Sequence, residues 1–213
     1  MNRLLLLCLA ALIGGCANPM ADRVTLVTDF SFPWSDKPAP KTQCRLHTTD
    51  KSLHFIFTVE DRDIVLSRAW SGETTVNGED RVEIFFAKAD DATLKNYWCL
   101  EIDPLGRVHD YHARNYRQFD STWNCSGLLT TARRMANGYE VCGSIPLATL
   151  SQLLDEPVGR GSKLRLGLFR AEFYGSQKAT HGESADNWIS WARPTSPKPD
   201  FHIPGAFRTW IVP

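Results

Sequence analysis

No two of the six cysteines stand at Cys-x-x-Cys spacing. Zinc ribbons and thioredoxin-type redox centres need such pairs, so both are poor readings of this chain. No apolar run reaches the roughly 20 residues a membrane-spanning helix requires. Charge of one sign is not in excess either, since 24 Lys and Arg balance 24 Asp and Glu. A nucleic-acid binder would carry a concentrated basic footprint, and none is visible. No nucleophile motif surrounds any serine, and the six histidines are scattered. No Pro/Gly/Ser-rich linker or internal repeat divides the centre, which favours one domain.

The chain opens with Arg3, an apolar run from Leu4 to Ile13, and then Gly14, Gly15 and Cys16. A basic start, a short apolar core and small residues at a cut site read as a secretory signal over residues 1–15. The sequence Ile13-Gly-Gly-Cys16 also resembles the bacterial lipobox. That resemblance implies acylation of Cys16, a durable membrane anchor, and, with Ala17 rather than aspartate after it, sorting to the outer membrane. Residues 16–41 then read as tether and entry, with Pro33, Pro38 and Pro40 arguing against regular structure and Trp34 as a cap on the domain edge. Outside the cytoplasm, Cys44, Cys99, Cys125 and Cys142 form an even set. They suggest up to two disulfides, with three connectivities open.

From residue 42 to 213 the dominant signal is alternation. Leu53, Phe55, Phe57 and Val59 alternate with His54, Ile56, Thr58 and Glu60, the pattern of an antiparallel strand buried on one face. In Glu79-Asp-Arg-Val-Glu-Ile-Phe-Phe86, Val82, Ile84 and Phe86 face one way, and Arg81, Glu83 and Phe85 the other. Tyr97 to Asp103 repeats this, with Trp98, Leu100 and Ile102 opposed to Tyr97, Cys99, Glu101 and Asp103. If these two strands are neighbours, Glu83 and Glu101 share a surface. Further strands are expected at Gln43–Asp50, Arg107–Arg114, Lys163–Phe173 and Phe207–Val212. A hairpin is expected at Gly127–Arg133 and Tyr139–Ile145 around Asn137-Gly138, a dipeptide that tolerates positive φ. Pro146 opens the one convincing helix, Leu147 to Leu154. Many short strands and one short helix predict a mainly β protein, an antiparallel β-sandwich of jelly-roll type.

The order of Leu53-His-Phe-Ile-Phe57, Asp61-Arg-Asp-Ile64, Glu79-Asp-Arg-Val-Glu-Ile-Phe85, Ser144-Ile-Pro146, Leu166 to Arg170, Ser190-Trp191 and Phe201-His-Ile-Pro204 resembles the family 9 carbohydrate-binding modules and their DOMON-like relatives. The resemblance covers roughly residues 42–212. It implies a sugar held on a polar concave sheet face between aromatic rings. Flat rings take the apolar C–H faces of a pyranose, and carboxylates, amides and arginines take its hydroxyls. Glu83 aligns with the glutamate of the family's Val-Glu-Ile-Phe motif. Relatives carry a tryptophan six residues before that glutamate, where this chain has Asn77; Trp70 is the candidate substitute. Trp188 and Trp191 fall where relatives carry the second aromatic, and each also reads as packing. Trp98, Trp123 and Trp210 read as core.

The implied function is therefore non-catalytic carbohydrate binding by an envelope lipoprotein, with Trp70, Asn77, Arg81, Glu83, Glu101, Trp188 and Trp191 as site residues. The ligand is a carbohydrate, the membrane is engaged through Cys16, and no nucleic acid is involved. The alternative is a structural or partner-binding envelope domain that keeps the fold without a sugar site. Paired carboxylates at Glu83 and Glu101 would suit a glycoside hydrolase, but no further acid accompanies them. Haem ligation, known among the DOMON-like relatives, would fall to Met135, the only methionine in the domain, near the Asn137-Gly138 turn. No metal site or cofactor is expected from the motifs. The one residue pattern suited to calcium is Asp61 with Asp63, which lacks the fuller ligand ladder of a calcium loop and reads better as an Asx-capped turn.

Overall fold

The computed structural model describes residues 24–174 and 184–213. The signal segment, Cys16 and the start of the tether lie outside the described residues. In chain order the strands are β1 (Val24–Val27), β2 (Thr42–Thr48), β3 (Ser52–Glu60), β4 (Arg81–Lys88), β5 (Tyr97–Ile102), β6 (Val108–Arg114), β7 (Gln118–Asp120), β8 (Leu129–Met135) and β9 (Gly138–Pro146). The helix α1 (Leu147–Leu154) follows, then β10 (Lys163–Ala171), β11 (Trp188–Ser190) and β12 (Arg208–Ile211). Two antiparallel sheets form, a five-stranded one in the order β1-β2-β3-β9-β8 and a seven-stranded one in the order β11-β10-β4-β5-β6-β7, with β12 also paired to β10. The sandwich expected from the alternation is thus present. No helix among the described residues is long and apolar enough to cross a membrane.

The core between the sheets is built from the apolar series of each strand. Leu53, Phe55, Phe57 and Val59 of β3 meet Val82, Ile84 and Phe86 of β4 and Leu164, Leu166 and Leu168 of β10, all buried. Leu147, Leu150 and Leu154 place one side of α1 on the same core. Asn137-Gly138 turns β8 into β9 as expected. Gly138 has φ +151, and a Cβ there would fall 1.9 Å from the Val59 carbonyl oxygen, so only glycine fits.

Four expectations need correction. The tether is not wholly irregular: β1 pairs with β2 before the prolines begin, with Val24 opposite His47. The outer face of β4 is not a solvated surface. Phe85 is fully buried there in a second, largely aromatic cluster with Tyr97, Tyr111, Phe169, Phe201 and Phe207, because the segment after β11 folds back over the seven-stranded sheet. Trp34 caps this cluster, 5.8 Å from the Phe201 ring, and its indole N–H donates to the Ser196 carbonyl. Trp98 is only half-buried, stacked on His112 at 5.5 Å, whereas Trp210 is buried and Trp123 packs partly on the core.

No disulfide joins the cysteines: Cys44, Cys99, Cys125 and Cys142 are all free thiols. The registers explain most of this. Cys44 aligns through Phe57 with Val141, so Cys44 and the next residue, Cys142, point to opposite faces of the five-stranded sheet. Cys99 lies in the other sheet's outer cluster, whereas Cys125 shares the core between the sheets with Cys44, so layer does not account for that pair. Thiols directed to different layers cannot reach the Cβ separation a bridge needs, about 4 Å.

Gly143 of β9 faces Phe55 across the ladder, and a Cβ added to it would lie 2.1 Å from the ring. Gly143→Ala is expected to displace Phe55 and destabilise the fold by about 1–3 kcal/mol, read as a lower urea midpoint. An unchanged midpoint would show that the ring can move freely.

Candidate functional site

β4, β5 and β6 lie side by side in the seven-stranded sheet, and their registers set Glu83 opposite Glu101, and Glu101 opposite His109. Two glutamates directly opposed on one face repel each other. Arg81, two residues along β4, lies between them: its Nε is 2.9 Å from Glu83 Oε1 and 2.7 Å from Glu101 Oε2. All three side chains are buried. Burial alone would favour the neutral form of Arg81, but Glu101 and Glu83 outweigh it and raise its pKa. The Tyr111 hydroxyl donates to Glu101 Oε1 at 2.7 Å, and Arg81 Nη1 donates to the Asn77 carbonyl at 3.1 Å.

Above this floor lies a cavity of about 530 Å³, within the range of about 300–1,000 Å³ usual for small-molecule sites. Asn77, at the end of a 3₁₀ turn over Glu73–Gly78, forms part of the wall and accepts through Oδ1 from His109 Nδ1 at 2.8 Å. That bond requires a proton on Nδ1, and in the neutral ring Nε2 is then an acceptor. Nε2 of His109, a buried residue, and Nε1–H of Trp188 have no partner among the described residues, although both side chains line the cavity. Trp188 stands 5.5 Å from the Phe201 ring, with the Arg81 guanidinium 5.7 Å from its own ring centre. His202 stacks on Phe85 at 5.4 Å, and burial, with Arg117 nearby, lowers its pKa to about 4, so it is neutral at physiological pH.

Five of the expected site residues, Asn77, Arg81, Glu83, Glu101 and Trp188, therefore line one cavity. Trp70 does not line it; its ring packs 5.2 Å from the Arg107 guanidinium, which is held by Asp103 and Glu79. Trp191 also lies elsewhere, with Arg208 at 4.6 Å. The residues sequence reading missed are His109, Tyr111, Arg117, Phe119 and Asp200. Alternation placed His109 and His112 on different faces, a usable signal, but nothing local marked the hairpin tip at Arg117 or the segment at Asp200.

A second buried charge group lies at the margin between the sheets. Asp61, Asp80 and Glu172 present oxygens within 4.8 Å of one another. They are the described residues able to hold a divalent cation, and Asp63 is not among them. Arg170, fully buried, already brings positive charge to the same oxygens: it donates to Glu172 and lies 3.8 Å from Asp61. Its Nη1 also donates to Thr42 Oγ1 and the Glu60 carbonyl.

No family model and no curated protein sequence matches this chain. Among solved structures, a candidate carbohydrate-binding protein from Bacteroides uniformis is similar over 87% of this chain and 84% of its own, with a TM-score of 0.65 and 16% identity. A family 9 carbohydrate-binding module from Caldicellulosiruptor kristjanssonii, in complex with glucose, is similar over 92% of this chain and 88% of its own, with a TM-score of 0.57 and 15% identity. A family 9 module from the same organism, in complex with cellotriose, is similar over 92% and 86%, with a TM-score of 0.55 and 15% identity. The likeness is one of fold, and at that level it bears out the family 9 resemblance.

Two predictions concern these charges. Arg81→Met leaves Glu83 and Glu101 buried without their counter-ion and should cost about 3–5 kcal/mol in urea unfolding, partly regained when Glu101→Gln is added. Burial raises Asp80 to about 8 and Glu172 to about 7. Both groups bind protons more tightly folded than unfolded, so their stabilising contribution is complete below about pH 4 and is lost as pH rises through about 7 to 8. The thermal midpoint should fall between pH 6 and pH 9, and by less in Glu172→Gln. A midpoint that rises over that interval would contradict the assignment.

Proposed function

We propose that this chain is a non-catalytic carbohydrate-binding domain of a bacterial envelope lipoprotein, anchored to the outer membrane through acylated Cys16. The observation that carries the reading is the cavity on the seven-stranded sheet. Buried carboxylates, the His109 imidazole and the Trp188 indole line it together. Hydroxyls both donate and accept, so a sugar suits a cavity lined by carboxylates, an imidazole and an arginine, with an apolar face against an aromatic ring. Arg81 acts as a positioning residue, since its contacts run to Glu83, Glu101 and the backbone. The fold likeness to modules in complex with glucose and cellotriose supports the same reading.

Hydrolysis is a weaker reading because one guanidinium holds both glutamates, and Glu101 also accepts from Tyr111. Neither carboxyl is placed to protonate a leaving group. A scaffold or partner-binding role is the second reading, favoured by Asn77 in place of an aromatic wall and by Phe201, which stacks on Phe169 at 4.1 Å and fills part of the concave face.

A soluble form beginning at residue 17 should bind sugars on a glycan array and in calorimetry, in the millimolar to micromolar range, about −4 to −8 kcal/mol. Trp188→Ala and Glu83→Gln should each weaken binding by about tenfold or more. Absence of binding to every sugar would leave the scaffold reading standing.

A further inference from the structure

The two ends of the cavity are built alike. At one end, Trp188 on β11 lies in register with Ala171 and, through it, with Arg81. At the other, Phe119 on β7 lies in register with Ala113 and, through it, with Tyr97. β11 and β7 are the two edges of the seven-stranded sheet, with β10, β4, β5 and β6 between them. At a strand spacing of about 4.8 Å, those five steps amount to about 24 Å of sheet before twist and curl shorten the path. One sugar ring spans about one such step. Yet Trp188 and Phe119 line the same cavity, which is therefore a trough longer than one ring.

Each end also pairs its aromatic with polar groups. Near Trp188 stands Arg81, which holds Glu83 and Glu101, while His109 lies on β6, next to the strand that carries Phe119. Near Phe119 are Arg117 and Asp200, which also line the cavity and are locked together: Arg117 Nη2 donates to Asp200 Oδ1 at 3.0 Å, and the Tyr116 hydroxyl donates to Asp200 Oδ2 at 2.7 Å. Phe119 is 46% exposed, although its ring is steadied by Tyr111 at 5.3 Å and His202 at 4.9 Å. A large apolar ring left open on a polar rim, and held in place, can serve as a stacking platform.

We propose that the trough binds a chain of at least two linked sugars, with Trp188 as the platform of one ring and Phe119, flanked by Arg117 and Asp200, as the platform of another. This rests on the sugar-binding reading above and adds the length of the ligand to it. Phe119 is then a specificity-determining residue that selects oligosaccharides over single sugars.

The test is calorimetry of the soluble form with glucose, xylose and N-acetylglucosamine and with their β-1,4-linked trisaccharides. The trisaccharide of at least one series should bind about tenfold tighter than its monosaccharide. Phe119→Leu, which keeps an apolar side chain without the flat ring, should lower trisaccharide affinity by about tenfold more than monosaccharide affinity, so that the preference disappears. Phe119→Trp should keep the preference, and Trp188→Ala should weaken mono- and trisaccharide alike. Equal affinity of the native chain for single sugars and trisaccharides, or a preference that survives Phe119→Leu, would overturn the second platform and leave sugar binding intact. Binding of none of the six sugars would overturn the proposal together with the reading it rests on.

Discussion

Placing a guanidinium and two carboxylates out of water costs several kcal/mol per ion before any attraction is counted. The outer face of β4 accepts that cost at Arg81, Glu83 and Glu101, and much of the surrounding architecture answers to it. Glu83 and Glu101 are directly opposed in the register, an arrangement that is repulsive unless a cation stands between them. Arg81 is that cation, and its remaining donors reach the Asn77 and Glu79 carbonyls. The same residue that offsets half of the floor's negative charge therefore also bonds the 3₁₀ turn that becomes the wall. Rigidity of the cavity and electrostatic balance of the sheet are one problem with one solution.

Arg170, on the neighbouring strand, repeats this logic on the opposite face. It pairs in register with Val82, one residue along from Arg81, so it points inward where Arg81 points outward. Its bonds to Thr42, to the Glu60 carbonyl and to Glu172 join the five-stranded sheet to the seven-stranded one. The acids around it outnumber it, and burial raises two of them toward neutral pH. One arginine organises the cavity floor, and the other closes the sandwich edge behind it.

Strand alternation was enough to read the sandwich, the helix, the hairpin at Asn137-Gly138 and the shared surface of Glu83 and Glu101, because all of these depend on period and turn chemistry. What escaped depended on long-range covering. The segment from Trp191 to Phe207 has no regular period, so nothing local says that Phe201 and His202 will lie over Phe85 and turn a sheet face into a second core. β1 was hidden by the prolines that follow it. Cysteine parity suggested bridges, but parity carries no information about which layer a thiol faces. Trp70 and Trp188 looked alike as loop tryptophans, and only the packing of Arg107 under one and Arg81 beside the other separates them.

Asn77 is the point where this chain departs most from the family pattern, and its surroundings change what that departure means. A tryptophan wall would stack on a ligand and contribute area. Asn77 instead accepts from His109 Nδ1 through Oδ1, and Nε2 of that ring is buried without a partner among the described residues. A flat apolar wall has been exchanged for a polar one, which loses stacking energy. With one wall polar and the far rim carrying Phe119, the aromatic surface is spread along the trough rather than pressed around a single ring. That distribution is the one the proposed oligosaccharide ligand requires.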